Sequence, residues 1–343
     1  MNRNSKQNRQ SPVMAYTGRH LLWLDDGRMG HQRQCWSLIS ALQKRADFMV
    51  HRYRLPTYAE WRYRLGGRCL LDDELRSLLG AVADTAVLVS AGRRAAAVSL
   101  ACNGLAPTAY RVQLLDPQRH RHRFDVLVLP EHDRREGENI ISMRGSLHDL
   151  RPEQLPAWRR AGTDLEQLRS PRYGLLLAGN REQNEHLFQT AAKAMVDGGS
   201  ILVSTSPRFG SCAGMIQRAG LSRHPDVRVL GHGGSVQTDS DRASSLQRVL
   251  AWSDVFMVAA DSINQLNELM AVRAQRPIWV ADRGLGKRHQ RFLQALLEQR
   301  LVQRLTEFSE HPQQQLDCLP PDTAKVAAVV MQRLAATHVI DSP

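Results

Sequence analysis

Several features that define large protein classes are missing from this sequence. Its five cysteines are scattered and form no C-x-x-C pair, which argues against a disulfide framework and against a zinc site. No apolar run approaches the roughly 18 residues that a membrane-spanning helix needs, and the N-terminus lacks the apolar core of a signal peptide. The G-x-G-x-x-G spacing of a dinucleotide-binding turn is also missing. We therefore expect a protein of the reducing cytoplasm that meets any membrane from the side.

Acidic residues are also fewer than basic ones. Lys and Arg number 46 against 34 Asp and Glu, a net charge of +12. This excess favours polyanions, phosphorylated substrates or an anionic membrane surface, and does not choose among them. At 343 residues the chain fits two domains of about 150 residues each. Residues 1–17 are polar and basic with little to bury, so they are expected to form a disordered tail.

The stretch Leu21–Gln34, LLWLDDGRMGHQRQ, combines an apolar strand, a glycine turn and a polar helix start. Four consecutive apolar residues suit a parallel strand covered on both faces. Gly27 and Gly30 allow backbone angles closed to other residues, and His31 is expected to open a helix. The unpaired N–H groups of that first turn suit a phosphate. A tight strand-to-helix turn without a ligand is the alternative interpretation.

Similar strand-turn-helix patterns continue along the chain. Apolar runs followed by small or polar turns predict strands at Phe48–Tyr53, Ala86–Ser90, Val112–Leu115, Asp125–Leu129, Tyr173–Ala178, Ser200–Ser204, Asp226–Leu230, Asp254–Ala259 and Arg276–Ala281. Strands that alternate with helices imply parallel sheets. Ligands of such sheets bind beyond the carboxyl ends of the strands.

Residues 51–68, HRYRLPTYAEWRYRLGGR, interleave aromatic residues with arginines. Such a mixture can lie at a lipid headgroup layer or stack on nucleic acid bases. The third interpretation, an ordinary helix with aromatics in the core and arginines in solvent, is favoured because aromatic residues are usually buried.

Five segments together carry a resemblance to a known family: DGRMGHQRQ (26–34), SAGRR (90–94), LLDP (114–117), FDVLVLPEHD (124–133) and AADSINQLNE (259–268). They resemble the mitochondrial-fission family first described in plants, whose bacterial members are regarded as candidate glycosyltransferases. The resemblance implies an α/β fold of the GT-B type, with two Rossmann-like domains facing across a cleft. We expect an N-terminal acceptor domain over 18–150, a linker over 151–171 and a nucleotide-sugar domain over 172–321. A C-terminal helix and tail, 322–343, would pack back on the first domain.

The resemblance also implies site residues. In lipid-linked sugar transferases a histidine closes the first glycine loop, and here that position is His31. The stretch Asp261–Glu268 resembles the segment that binds the donor, with Glu268 on the ribose and Ser262 at the phosphates. The leaving diphosphate would be held near Ser262 and by Arg208 in the turn that contains Ser206. The remaining acceptor-side or cleft positions are Gly27, Gly30, Gln34, Gly92, Arg93, Arg94 and Asp116.

Sugar transfer needs a base for the acceptor hydroxyl. His31 is the first candidate, because imidazole titrates near neutral pH, and a helix-start residue bonded to backbone is the alternative. Asp133 with His132 is the second candidate pair, and a turn capped by a carboxylate is its alternative. No cofactor is expected beyond the nucleotide-sugar substrate. No metal is expected either, because the sequence has no Asp-x-Asp motif and the RHRHR run at 119–123 is typical of a solvated basic loop.

Two function classes therefore remain open. The first is a metal-independent transferase that moves a sugar from a nucleotide-sugar donor to an envelope glycan or lipid-linked acceptor. The second is a membrane-associated adaptor without catalysis, since plant relatives act in mitochondrial division. Only the net positive charge supports a third interpretation, an enzyme that acts on nucleic acid. We expect no nucleic acid partner, because the basic residues form no recognition module. In either remaining class we expect the protein in the cytoplasm, either free or peripheral on the inner membrane.

Overall fold

The computed structural model describes residues 19–57, 62–63, 67–82, 86–205, 211–230, 244–309 and 318–337. Within them the strands are β1 (Arg19–Asp25), β2 (Phe48–Arg54), β3 (Ala86–Ala91), β4 (Tyr110–Leu114), β5 (Val126–Pro130), β6 (Ile140–Met143), β7 (Arg172–Leu177), β8 (Ser200–Thr205), β9 (Val227–Leu230), β10 (Val255–Ala259), β11 (Ile278–Ala281) and β12 (Gln303–Arg304). They form two sheets of six strands.

The α-helices follow the strands as the sequence pattern predicts. They are α1 (Met29–Gln43), α2 (Asp73–Val82), α3 (Gly92–Ala101), α4 (Leu155–Arg160), α5 (Arg181–Ala194), α6 (Ala213–Arg218), α7 (Ser245–Trp252), α8 (Ile263–Val272), α9 (Lys287–Glu298) and α10 (Thr323–Ala336). Short 3₁₀ turns include Glu131–Asp133, directly after β5.

The first sheet has the strand order β2-β1-β3-β4-β5-β6. β1 pairs in parallel with β2 and with β3, so its carboxyl end lies beside the carboxyl ends of both. The turns after β1 and β3 therefore meet at one edge of this sheet. β6 is a short strand that the sequence did not predict.

The second sheet has the order β12-β11-β10-β7-β8-β9, with parallel pairing throughout. Leu175 and Leu177 of β7 pack in one hydrophobic cluster, whereas Leu176 packs in another. Because successive side chains of a strand point to opposite faces, these two clusters cover both faces of the sheet. This explains the continuous apolar run of β7.

The chain divides into two compact units. The first consists of Met1–Cys35, Ile39–Val126 and Val330–Pro343, and the second of Trp36–Leu38 and Leu127–Val329. The end of α10 belongs to the first unit, as predicted, and Arg333 lies near enough to Tyr110 to lower the pKa of its hydroxyl. Burial and Asp125 act in the opposite direction and raise that pKa to about 12. The domain ranges expected from the sequence stay a prediction.

Part of the basic aromatic stretch is described. Tyr53 is buried and its hydroxyl donates to Asp72 over 2.5 Å, and Tyr63 packs against the core of the first unit. The positions of these two aromatic residues agree with the core role in the third interpretation, but Tyr53 lies in the strand β2 and not in a helix. Tyr58, Trp61, Arg64 and the tail at 1–17 lie outside the described residues.

Candidate functional site

The turn after β1 is built on two adjacent carboxylates with different partners. Asp25 is buried and accepts hydrogen bonds from Arg52 over 2.6 Å, from Gln32 over 3.0 Å and from the N–H of Gly27 over 2.8 Å. Burial alone would raise the pKa of Asp25, but these hydrogen bonds outweigh it and lower the pKa below its ordinary value. Asp25 therefore fixes the turn as an ionised group.

Asp26 faces His31 instead. Its Oδ2 lies 2.9 Å from the Nδ1 of His31, and only 18% of the His31 side chain is exposed. Because an ionised carboxylate can only accept, Nδ1 carries the proton and Nε2 keeps a lone pair. This is the arrangement that orients a histidine base.

Two glycines make room for this turn. Gly27 has a φ of +81°, and a Cβ built there would lie 2.6 Å from Nη2 of Arg54. Gly92, at the start of α3, has a φ of +74°, and its Cβ would lie 2.4 Å from Cε1 of His31. The predicted residues Gly27, His31 and Gly92 are therefore brought together within the first unit.

The helix itself begins earlier than the sequence suggested. α1 starts at Met29 with Arg28 as its N-cap, so His31 lies in the first turn rather than opening it. Gly30 lies inside the helix and is not among the residues with positive φ. The expectation that Gly30 supplies special backbone angles is therefore wrong, because Gly27 alone makes the turn.

The remaining acceptor-side candidates have other neighbours. Asp116 forms two hydrogen bonds of 2.8 Å with Arg121, and Arg93 reaches Gln118 at 3.4 Å. The guanidinium of Arg94 stacks over Tyr63 at 5.6 Å. Gln34 is buried in α1 and donates to the carbonyl of Gly30 over 3.3 Å.

His132 and Asp133, in the turn after β5, both contact Arg288 of α9. Arg288 lies 2.8 Å from Oδ1 of Asp133, and its Nε donates to Nε2 of His132 over 3.2 Å. Burial, then the positive charges of Arg288, His289 and Arg291, lower the pKa of His132 to about 3. A buried imidazole whose acceptor nitrogen is already bonded is a poor base, so the geometry favours a structural role for this pair.

A second group of polar residues lies at the carboxyl edge of the second sheet. Asp261 follows β10, and its Oδ2 accepts the backbone N–H of Asn180, which follows β7, over 2.9 Å. The backbone N–H of Asp261 donates to Gln183 over 3.3 Å. Gln183 and Asn180 in turn donate to the carbonyl of Arg283, after β11, over 2.5 and 3.1 Å. Three neighbouring strand ends are thus tied together.

Two acceptors at this edge are buried without a hydrogen-bond partner among the described residues. They are Oδ1 of Asp261 and Oε1 of Gln265. Leaving such a group unsatisfied costs about 1–3 kcal/mol, so a hydroxyl or amino donor that reached either atom would stabilise the folded protein.

Ser262 and Glu268 lie on the same segment. Ser262 is the N-cap of α8 but makes no side-chain capping bond, and Glu268 is buried in the second turn of that helix. Asn267 beside it donates to the carbonyl of Ser146 over 2.6 Å. The predicted donor residues Ser206 and Arg208 lie outside the described part of the chain.

Comparison with known proteins places these turns in a family. The family model for mitochondrial fission ELM1 matches residues 29–334, a range that contains His31, His132 and Asp261. The chain belongs to the mitochondrial fission ELM1 family. A search of curated protein sequences finds no significant match.

This family member has the fold of several solved sugar-nucleotide proteins. UGT2 of Phytolacca americana, solved with UDP-2-fluoro-glucose and pterostilbene, is 11% identical, with a TM-score of 0.50 over 94% of this chain and 93% of that one. UDP-GlcNAc 2-epimerase of Neisseria meningitidis, bound to UDP-GlcNAc, is 10% identical, with 0.54 over 92% and 100%. The catalytic domain of starch synthase IV of Arabidopsis thaliana, bound to ADP and acarbose, is 11% identical, with 0.52 over 94% and 99%. The likeness confirms the GT-B fold class.

Sequence reasoning missed several residues of both sites in this ELM1 family member. At the first sheet it missed Asp26, although an Asp pair directly after a strand was visible. At the second sheet it missed Gln265, and it missed Asn180, Gln183 and Arg283, whose contacts with one another or with Asp261 mostly join residues about 80 to 100 positions apart. Their position just after predicted strands was the available signal.

Among the described residues, no group of three or more His, Cys, Asp or Glu side chains is placed to hold a metal ion. None of the helices in the described ranges has the length and apolar character needed to cross a bilayer.

Proposed function

We propose that this protein is a glycosyltransferase whose nucleoside-diphosphate sugar donor binds at the carboxyl edge of the second sheet. The observation that carries the proposal is a pair of buried acceptor atoms that have no hydrogen-bond partner among the described residues, Oδ1 of Asp261 and Oε1 of Gln265. A nucleotide sugar presents many hydroxyl groups, and each can donate a hydrogen bond to such an acceptor. A carboxylate would repel a phosphate, so Asp261 suits the hydroxyls rather than the diphosphate.

The diphosphate has different candidates at the same edge. The first turn of α8 presents backbone N–H groups at Ser262, which makes no capping bond of its own, and a helix start favours negative charge. The guanidinium of Arg283 is more than half exposed and lies 3.5 Å from Glu182. Glu268 would meet the ribose, as the family resemblance implies. Ser206 and Arg208 keep their proposed phosphate role.

His31 is the proposed base. Its Nε2 would take the proton of the acceptor hydroxyl while Asp26 holds Nδ1–H and stabilises the imidazolium. The acceptor oxygen forms a bond to the anomeric carbon of the sugar, and the bond from that carbon to the diphosphate oxygen breaks. The nucleoside diphosphate leaves with the electron pair, so every atom and charge is accounted for.

The acceptor class and the location rest on the resemblance and on the charge of the chain. We propose an envelope glycan or a lipid-linked sugar as the acceptor, used at the cytoplasmic face of the membrane. A net charge of +12 supports contact with anionic lipids, because basic residues near such a surface are attracted to it.

The family supports a second candidate, since its model carries the name of mitochondrial fission. In that case the protein would be a membrane-associated adaptor without turnover. An adaptor has no need of a sugar-nucleotide site, so ligand binding separates the two candidates.

Thermal unfolding with UDP, ADP and their sugar conjugates tests the transferase proposal. A ligand at 100 times its Kd should stabilise the folded protein by about 2.7 kcal/mol. Asp261→Asn should reduce this stabilisation, because an amide in place of the carboxylate presents a weaker acceptor to a hydroxyl. Asp164→Asn is the matched control, since Asp164 is an exposed partner of Arg248 in the same unit. If no nucleotide raises the melting temperature of the wild type, the transferase proposal is wrong.

A further inference from the structure

Around the turn after β1 the carboxylates are buried, whereas the guanidinium groups of the turn and of β2 are exposed to solvent. The side chains of Asp25 and Asp26 are 1% and 2% exposed, whereas those of Arg52, Arg54 and Arg28 are 48%, 61% and 55% exposed. A molecule approaching this turn from solvent therefore meets guanidinium groups first.

The charges also do not balance. Three guanidinium groups face two carboxylates, so the cluster has an excess of one positive charge. Arg52 is the close partner of Asp25 at 2.6 Å, while Arg54 lies 3.3 Å from the same oxygen. The Nε of Arg28 lies 3.9 Å from Asp26. Because each guanidinium has five N–H donors, Arg54 and Arg28 retain donors for an anion.

The backbone at Gly27 leaves room for the guanidinium of Arg54. The positive φ of Gly27 and the lack of a Cβ let the guanidinium lie against the turn, where a side chain would come within 2.6 Å of it. Four residues further on, His31 approaches Gly92 in the same way. The arginine pair and the proposed base are thus parts of one cluster within the first unit.

We propose that Arg54 and Arg28 bind a phosphate or diphosphate carried by the acceptor, next to the hydroxyl that His31 deprotonates. This inference rests on the proposed function and adds the chemical class of the acceptor. Guanidinium groups pair with phosphate oxygens through parallel, charge-assisted hydrogen bonds. Such pairing would position a neighbouring hydroxyl for proton transfer to Nε2 of His31.

Calorimetric titration with inorganic pyrophosphate tests the inference directly. We expect the double variant Arg28→Gln/Arg54→Gln to bind at least about tenfold more weakly than the wild type, as loss of charge-assisted bonds would give. Lys44→Gln removes the same charge at the other end of α1, roughly 20 Å away at 1.5 Å per residue, and should change the affinity less than twofold. The single variant Arg28→Gln covers the case in which the double variant does not fold, because within the described ranges this side chain makes only the long contact to Asp26.

The outcomes separate this inference from the proposed function. If pyrophosphate binds both arginine variants as tightly as the wild type, or does not bind the wild type, the phosphate subsite is wrong. Binding of UDP and ADP should be unchanged in the arginine variants and reduced in Asp261→Asn. If pyrophosphate binds as expected but UDP and ADP do not bind the wild type, the donor site is wrong and the phosphate subsite is retained.

Discussion

At the scale of single residues, the adjacent carboxylates Asp25 and Asp26 have different structural roles. Asp25 is fixed by Arg52, Gln32 and the backbone of Gly27, and it holds the shape of the turn. Asp26 holds His31 through one short contact. The difference follows from the alternation of side chains where β1 ends and the turn begins, so substitutions at the two positions should have different effects.

Asp26→Asn should change the tautomer of His31 with little effect on folding. The carboxylate accepts only, which keeps the proton on Nδ1, whereas an amide can donate as well as accept. In ¹⁵N-detected NMR spectra of the imidazole at neutral pH, we expect the wild type to show mainly the Nδ1–H form and the variant a mixture. Asp116→Asn, which alters the pair with Arg121, should leave the His31 signals unchanged. An unchanged tautomer in Asp26→Asn would contradict the proposed orientation.

Asp25→Asn should instead destabilise the first unit by about 2 kcal/mol near pH 7, the value typical of hydrogen bonds to charged groups. The pKa of Asp25 is lowered in the folded protein, so its stabilisation is present above its ordinary pKa and is lost as the pH falls through the lower folded value. Urea unfolding should therefore show a difference between variant and wild type that shrinks below about pH 4. Asp47→Asn, an exposed position near the end of α1, is the control. A constant difference at all pH values would count against the charge of Asp25 as the cause.

At the scale of elements, the strands were the most predictable part. Apolar runs such as Leu21–Leu24 and Tyr173–Ala178 became buried parallel strands because both faces of each sheet are covered. The short edge strands were missed for different reasons: β6, Ile140–Met143, has only four residues, and β12, Gln303–Arg304, has two polar ones. The start of α1 was expected at His31 and lies two residues earlier, at Met29, because no Ser, Thr, Asp or Asn marks its cap at Arg28.

Gly92→Ala tests whether the start of α3 depends on a glycine. A methyl group would combine a positive φ, which costs about 1–2 kcal/mol, with a contact of 2.4 Å to the His31 ring. We expect a destabilisation of about 2 kcal/mol or more in thermal or urea unfolding, together with a displaced His31. Gly80→Ala in α2 is the matched control, because its Cβ would meet no atom within 4 Å and alanine favours helices by up to about 1 kcal/mol. If both substitutions are equally harmless, the close approach of His31 is wrong.

At the scale of the whole molecule, the GT-B fold class could be predicted from strand-helix alternation together with five short motifs. The residues of the two sites could be predicted only in part. His31 and Asp261 could be named because each follows a predicted strand and lies in a segment that resembles the family, but not all of their partners could be named. The Asp261–Asn180 and His132–Arg288 contacts join residues 81 and 156 positions apart. A sequence pattern alone does not show which residues so far apart in the chain are in contact.

The buried His132 should make the molecule sensitive to mild acid. Its pKa is lowered to about 3 in the folded protein, whereas an unfolded chain takes up this proton near pH 6.5. Stability should therefore be complete above about pH 6.5 and fall by about 1.4 kcal/mol per pH unit below it, reaching a loss of about 2 kcal/mol at pH 5. His132→Asn should lose about 2 kcal/mol less than the wild type between pH 7 and pH 5 in urea unfolding. Equal losses would show that His132 takes up its proton in the folded state.

A crystal structure with a nucleoside-diphosphate sugar bound tests the central claim most directly. We predict a ribose or sugar hydroxyl within about 3 Å of Oδ1 of Asp261, with the diphosphate at the first turn of α8. A nucleotide sugar bound elsewhere, with Oδ1 of Asp261 still buried and without a ligand contact, would contradict the account.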